Sequence, residues 1–178
     1  MTQSQAGITV RDAGMPDIPA IVAVQARSWR NAYRGMVDDA FLDAIPMQQW
    51  IESWRAHFFV GDTRCFVAEE GGRVVGFASV GRPDAGEELG ASVAELHTIY
   101  IDADRYGTGL GRRLAATALE HLRSEGFAEV VLWVLEQNER GRRFYEAGGW
   151  APDGARASDC WGATSVPRVR YRVRLPPG

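Results

Sequence analysis

A strand, a glycine turn and a helix in direct succession constrain this chain more than anything else in it. Val93 to Ile101 (VAELHTIYI) is an apolar, β-branched stretch that reads as a strong strand. Tyr106 to Gly111 (YGTGLG) follows as a glycine-rich turn. From about Leu110 to Glu125, Leu110, Leu114, Ala118 and Leu122 share one face, which predicts an amphipathic helix closed by Gly126. A turn of this kind aims main-chain N–H groups outward at a helix start, where the helix dipole adds partial positive charge. Glycine lets an anion approach with no Cβ in the way. Arg105, Arg112 and Arg113 flank the turn. The prediction is a diphosphate site built from the amides of Tyr106, Gly107, Thr108, Gly109, Leu110, Gly111 and Arg112.

The identity of the phosphate ligand narrows by elimination. A dinucleotide fingerprint starting at Gly107 needs a third glycine where Arg112 stands, and no Gly-Lys-Ser/Thr sequence supports a nucleotide-hydrolysing loop. A pyrophosphate such as that of coenzyme A remains.

The flanking sequence supplies the rest of an α/β fold. Ile8 to Arg11 reads as a first strand. A helical face follows over Ile18, Ile21, Val22 and Gln25 to Trp29. Phe41, Leu42 and Ile45 make a short second helix stopped by Pro46, and Trp50, Ile51, Trp54 and Phe58 a third. Arg64–Glu69 and Arg73–Val80, joined by Glu70-Gly71-Gly72, predict a hairpin. Pro83 to Ser92 reads as a polar, acidic loop, and Glu129 to Leu135 as a buried central strand. Asn138 opens a short helix ending at Gly148-Gly149, and Val169 to Leu175 alternates as a last strand. This order predicts a mixed sheet with helices on both faces rather than a simple βαβ repeat.

Length and charge set further expectations. At 178 residues the chain is read as one domain, 1–178. A net charge of −3 lacks the basic excess of a nucleic-acid binder. Cys65 and Cys160 cannot build a disulfide framework, and no C-x-x-C pair suggests zinc. No signal peptide or bilayer-length apolar run is read. The expectation is a cytoplasmic protein, monomer or homodimer, with no metal, nucleic acid or membrane partner.

Two motifs carry a family resemblance. Val93 to Leu119, VAELHTIYIDADRYGTGLGRRLAATAL, resembles the central motif of the GCN5-related N-acetyltransferase (GNAT) family: a strand, then Gln/Arg-x-x-Gly-x-Gly/Ala at a helix start. Gly109 and Gly111 match the small positions. Tyr106 departs from the pattern at the Gln/Arg position, with Arg105 one residue early. Asn138 to Trp150, NERGRRFYEAGGW, resembles the family's second block, Asn-x-x-Ala/Gly-x-x-Phe-Tyr-x-x-x-Gly-Phe. The likeness covers nearly the whole chain. It implies a GNAT-type acyl-CoA N-acyltransferase fold, with a mostly antiparallel central sheet and helices on both faces. It also implies acetyl transfer from acetyl-CoA to a primary amine, on a small molecule, a protein N-terminus or a lysine, by direct attack through a tetrahedral intermediate.

That chemistry needs a neutral amine, a stabilised oxyanion and a proton for the leaving thiolate. The resemblance implies that the oxyanion donor is a backbone N–H at Ile99, with Tyr100 and Ile101 beside it, where the strand splays from its neighbour. It implies Tyr145 as the acid. Asn138 is either a ligand of the pantetheine arm or a helix cap, and both roles are compatible. For the base, Glu95 leads and His97 follows, on the expectation that Glu95, His97, Ile99 and Ile101 share one strand face. Arg140, Arg142 and Arg143 are candidates for an adenosine 3′-phosphate but read better as a solvated helix face. Trp29, Tyr33, Asp38 and Asp39 stand where the acceptor wall is expected, and aromatic rings and carboxylates suit a cationic amine. Two competing readings are a non-catalytic CoA-binding regulatory module and a nucleotide-binding interaction domain.

Overall fold

The computed structural model describes residues 7–58, 63–83 and 89–177. Half of the acidic loop, residues 84–88, lies outside them. Seven strands form one sheet: β1 (Ile8–Asp12), β2 (Arg64–Glu70), β3 (Arg73–Gly81), β4 (Val93–Ile101), β5 (Glu129–Leu135), β6 (Ala151–Trp161) and β7 (Thr164–Arg174). The spatial order is β1-β2-β3-β4-β5-β7-β6. The β4/β5 pairing is parallel and every other pairing is antiparallel.

Helices cover both faces. The apolar stripe of α4 (Leu110–Ser124) packs Leu110, Leu114, Ala118 and Leu122 on Phe66, Val80, Leu96 and Leu132 of the sheet. On the opposite face α1 (Ile18–Ala32) and α3 (Met47–His57) cover Val67, Val74 and Phe77. The short α2 (Asp39–Asp43) helps to close a third cluster around Tyr33, Leu42, Leu135 and Val166. Asp38 caps α2, accepting from the Ala40 N–H at 3.0 Å, and Asp39 pairs with Arg34 at 3.4 Å. Both aspartates therefore serve the local helix, and neither lines the cavity described below.

The sequence reading finds six strands and misses β6. Pro152, Asp153 and Gly154 look like turn residues, yet β6 is an edge strand with a register shift between Pro152 and Arg156. An edge tolerates a missing donor and an irregular ladder.

Asp102 fixes the exit of β4. Its carboxylate is 4% exposed, accepts from Arg27 Nε at 2.9 Å, and also pairs with Arg73. Its own N–H reaches the Val75 carbonyl at 2.8 Å, and its carbonyl takes the Arg105 N–H at 2.9 Å. Strand, helix α1 and glycine turn are thus tied through one residue. Both guanidiniums are about half exposed, at 45% and 60%, which discounts the ion pairs. Asp102→Asn is expected to cost about 1–2 kcal/mol, a melting-temperature loss of roughly 2–8 °C by calorimetry.

Candidate active site

The site starts where the sheet opens. β4 and β5 pair only at Val93↔Glu129, Ala94↔Val130 and Glu95↔Val131. Beyond that point β4 stays with β3 as far as Ile101↔Gly76, and β5 stays with β7 as far as Leu135↔Arg168. A wedge therefore separates residues 96–101 from 132–135. A bulge at His97, between the Ser79↔Thr98 and Val80↔Leu96 pairs, lies two residues past the last β4/β5 pair. Bulges bend the strand that carries them.

The bulge corrects the expected face. Ala94, Leu96, Ile99 and Ile101 all pack in the cluster under α4, so the extra residue at 97 resets the alternation. Glu95 does not share a face with Ile99 and Ile101. The main-chain phase follows from the Asp102 N–H to Val75 carbonyl bond. In an antiparallel ladder, bonded and non-bonded pairs alternate. If 102/75 is a bonded pair, then 101/76 and 99/78 are not. The N–H and C=O of Ile99 point away from β3, toward the wedge.

The glycine turn forms the second wall. Gly107 (φ +75°) and Gly109 (φ +86°) adopt left-handed backbone, which explains why glycine stands at both positions. Gly111 is glycine for packing: a Cβ there would lie 3.2 Å from Phe144. The expected cradle of seven amides is smaller in the structure. The Tyr106 N–H goes to the Ala103 carbonyl and the Thr108 N–H to the Arg105 carbonyl. The Leu110 N–H goes to Thr108 Oγ1 at 3.4 Å, and the Leu110 side chain is core. Among the described residues, the amides of Gly107, Gly109, Gly111 and Arg112 keep no internal acceptor. A helix start leaves such donors for an external anion.

Helix α5 (Glu139–Ala147) supplies the third wall. Asn138 caps it, its Oδ1 accepting from the Gly141 N–H at 3.0 Å. A Cβ at Gly141 would meet Asn138 Nδ2 at 2.7 Å, so a side chain there would shift the cap. Asn138, Gly141 and Tyr145 lie three and four residues apart, on one face, and all line the cavity. Tyr171 of β7 anchors this helix: its hydroxyl donates to Glu146 at 2.7 Å and accepts from Arg142 Nε at 3.0 Å. Desolvation pushes the Tyr145 phenol well above its ordinary value, so it stays protonated, and its hydroxyl makes no hydrogen bond among the described residues.

These walls enclose one cavity of about 430 Å³. Of the expected site residues it is lined by Glu95, His97, Ile99, Tyr100, Ile101, Tyr106, Gly107, Gly109, Gly111, Arg112, Asn138 and Tyr145, and by Trp29 and Tyr33. Thr108 and Leu110 are not on its wall. Glu95 is 7% exposed, its Oε1 stands 3.7 Å from His97 Nδ1, and its Oε2 is buried without a hydrogen-bond partner among the described residues. Tyr33 and Tyr100 share a hydroxyl–hydroxyl bond at 3.1 Å. Trp29 stacks on Trp161 at 4.3 Å.

The sequence model of the acetyltransferase (GNAT) family matches residues 24–150. The chain belongs to this family. It is 36% identical over 132 residues to an uncharacterized N-acetyltransferase of Bacillus subtilis, covering 74% of this chain and 73% of that one. It is 30% identical over 178 residues to a probable N-acetyltransferase of Mycobacterium tuberculosis, covering 96% and 97%. In fold it is similar to the PaiA N-acetyltransferase of Thermoplasma acidophilum solved with coenzyme A, at a TM-score of 0.74 and 18% identity, covering 94% of this chain and 99% of that one. This GNAT chain is thus an N-acetyltransferase by class.

Several parts of the cavity wall escape the sequence reading. Arg140, set aside there with its neighbours, is the one of that trio on the wall. Its guanidinium lies 4.0 Å from the Tyr106 ring centroid and donates to the Tyr106 hydroxyl at 3.1 Å. Arg142 is taken by Tyr171 and the Glu136 carbonyl, and Arg143 by Glu139. Arg105, expected beside the phosphate, is held by Glu70 at 2.5 Å. Trp161 and Arg168 line the cavity from the β6–β7 hairpin, half of which the sequence hides. Arg168 was legible in principle, since it extends the alternation of Arg170, Arg172 and Arg174.

Among the described residues no cluster of histidine, cysteine and carboxylates could hold a metal ion, and no helix is long and apolar enough to cross a membrane.

Proposed function

We propose that residues 1–178 act as one N-acetyltransferase domain that moves an acetyl group to a primary amine by direct attack. The observation that carries this reading is that the β4/β5 wedge and the four unclaimed turn amides open into the same cavity. The residues fit coenzyme A: the amides of Gly107, Gly109, Gly111 and Arg112 would hold a diphosphate, and the wedge would take an extended pantetheine arm as an added strand. Arg140, stacked on Tyr106, supplies a cation where the family pattern has Gln or Arg at position 106. Asn138 keeps its amide N–H₂ available while its Oδ1 caps the helix.

When bound, the co-substrate supplies an activated acyl thioester. The Ile99 N–H, aimed into the wedge, is placed to stabilise the oxyanion of the tetrahedral intermediate. The Glu95 carboxylate, through its free Oε2, takes a proton from the amine, with His97 beside it. The Tyr145 phenol, kept protonated by burial, donates to the departing sulfur. No thiol nucleophile enters. Cys65 is buried, which pushes its thiol up to about 12.

The test is a panel of primary amines with acetyl-CoA, reading free coenzyme by chromatography, because the exposed Cys160 would react with a thiol reagent. Amine-dependent release is expected. Tight coenzyme binding with no release for any amine would favour a non-catalytic module instead.

A further inference from the structure

Buried polar atoms almost always find a partner, so those that do not mark places where a ligand is missing from the count. Among the described residues, Glu95 Oε2, Thr98 Oγ1, Arg168 Nε and Trp29 Nε1 are buried and without one. All four belong to residues that line the cavity described above. Glu95 stands on β4 at the last β4/β5 pair and offers an acceptor, and Thr98, three residues further along the opened strand, carries a hydroxyl that donates or accepts. Arg168 stands on β7 opposite Leu135 and offers a donor.

We infer that the acceptor is an amphoteric molecule, a primary amine that also carries a carboxylate-class anion, with Arg168 holding the anion. This rests on the acetyl-transfer reading and adds the chemistry of the acceptor to it. Glu95 lies level with Val131, and Arg168 level with Leu135, four residues along β5. At about 3.3 Å per residue their backbones differ in level by roughly 13 Å. Both side chains line the same cavity between those levels, so one molecule lying in it can meet both.

Arg168 is held ready for this task. Asp159 takes its Nη2 at 2.9 Å, and the guanidinium carbon lies 5.2 Å from the Trp133 ring centroid. Those contacts fix the guanidinium plane and leave Nε as the donor without a partner among the described residues. A guanidinium so oriented recognises a planar carboxylate better than a mobile ammonium would. The stacked Trp29 and Trp161 at the same cavity suit the ammonium or the carbon chain of the acceptor.

The test uses the full chain with acetyl-CoA and a series of α- and ω-amino acids, each matched with the amine that lacks only the carboxylate. For at least one pair the wild type should favour the carboxylate member in kcat/KM by about 10-fold or more, the scale of a charged hydrogen bond. Arg168→Gln should bring that ratio toward one, mainly by raising KM for the carboxylate member, and Arg168→Lys should restore part of it. The melting-temperature rise given by coenzyme A should be the same in both variants and the wild type, which shows that they fold. No carboxylate preference at any pair, or a preference that survives Arg168→Gln, would overturn the inference and leave acetyl transfer standing. Absence of calorimetric binding of coenzyme A to the wild type would remove acetyl transfer itself, and the inference with it.

Discussion

Tyr145→Phe is expected to lower kcat by about 10²–10⁴-fold, the range for loss of a positioned general acid. Coenzyme A affinity should stay within about 3-fold, because one exposed-ligand hydrogen bond is worth little in the ground state. The ring contacts with Phe144, Trp150 and Tyr171 do not involve the hydroxyl, so the fold keeps its packing. The pH dependence gives a second check. Burial raises the Tyr145 phenol above its usual value, so the proton is present on the acidic side of that raised value and is lost only above it. Below about pH 10, the unperturbed phenol value, the wild type should therefore show no alkaline decline due to this group. The ratio of wild-type to variant kcat should stay flat across the same range. A variant with unchanged turnover would remove the acid role.

Glu95→Gln is expected to be of similar size but different in shape. At pH 7 kcat/KM for the amine should fall about 10²–10⁴-fold, again the scale of a general base. The amide keeps the volume of a side chain that is 9% exposed, so packing changes little. What goes is the oxygen that would accept the proton. An alkyl ammonium titrates near 10.4, and at higher pH the free amine no longer needs an enzymic base. The deficit should shrink about tenfold per pH unit toward that value, which the flat Tyr145→Phe ratio does not do. If His97 were the base, Glu95→Gln would cost little and His97→Gln would show this pH-dependent deficit. The 3.7 Å separation of the two side chains makes the double variant informative as well, since coupled groups are not additive.

The parts of this molecule that can be read from sequence are those with strong local periodicity. Val93–Ile101 and Glu129–Leu135 are found where the apolar runs place them, and α4 starts at Leu110 as its stripe demands. The wedge between the two strands is not readable. Its evidence is the absence of pairing beyond Glu95↔Val131, a tertiary fact that neither strand's pattern contains. The bulge at His97 hides for a related reason: an inserted residue leaves composition unchanged and shifts every later side chain to the other face. That is why Ile99 and Ile101, and not Glu95, lie under α4. The turn amides show a third limit. Thr108 looks like one more exposed donor, but its hydroxyl bonds the Arg105 carbonyl at 2.7 Å and receives the Leu110 N–H, so the loop satisfies part of itself. Arg140 and Arg142, two residues apart, differ in fate only because Tyr171 and Tyr106 approach α5 from different directions.

The grip on the diphosphate is best tested by following backbone amide resonances of the isotope-labelled chain as coenzyme A is added. The account predicts large shifts at Gly107, Gly109, Gly111 and Arg112, a shift at Ile99 across the wedge, and much smaller ones at Tyr106, Thr108 and Leu110, whose N–H groups already have acceptors. Binding that leaves the first four amides unmoved, or no binding at all, would contradict it.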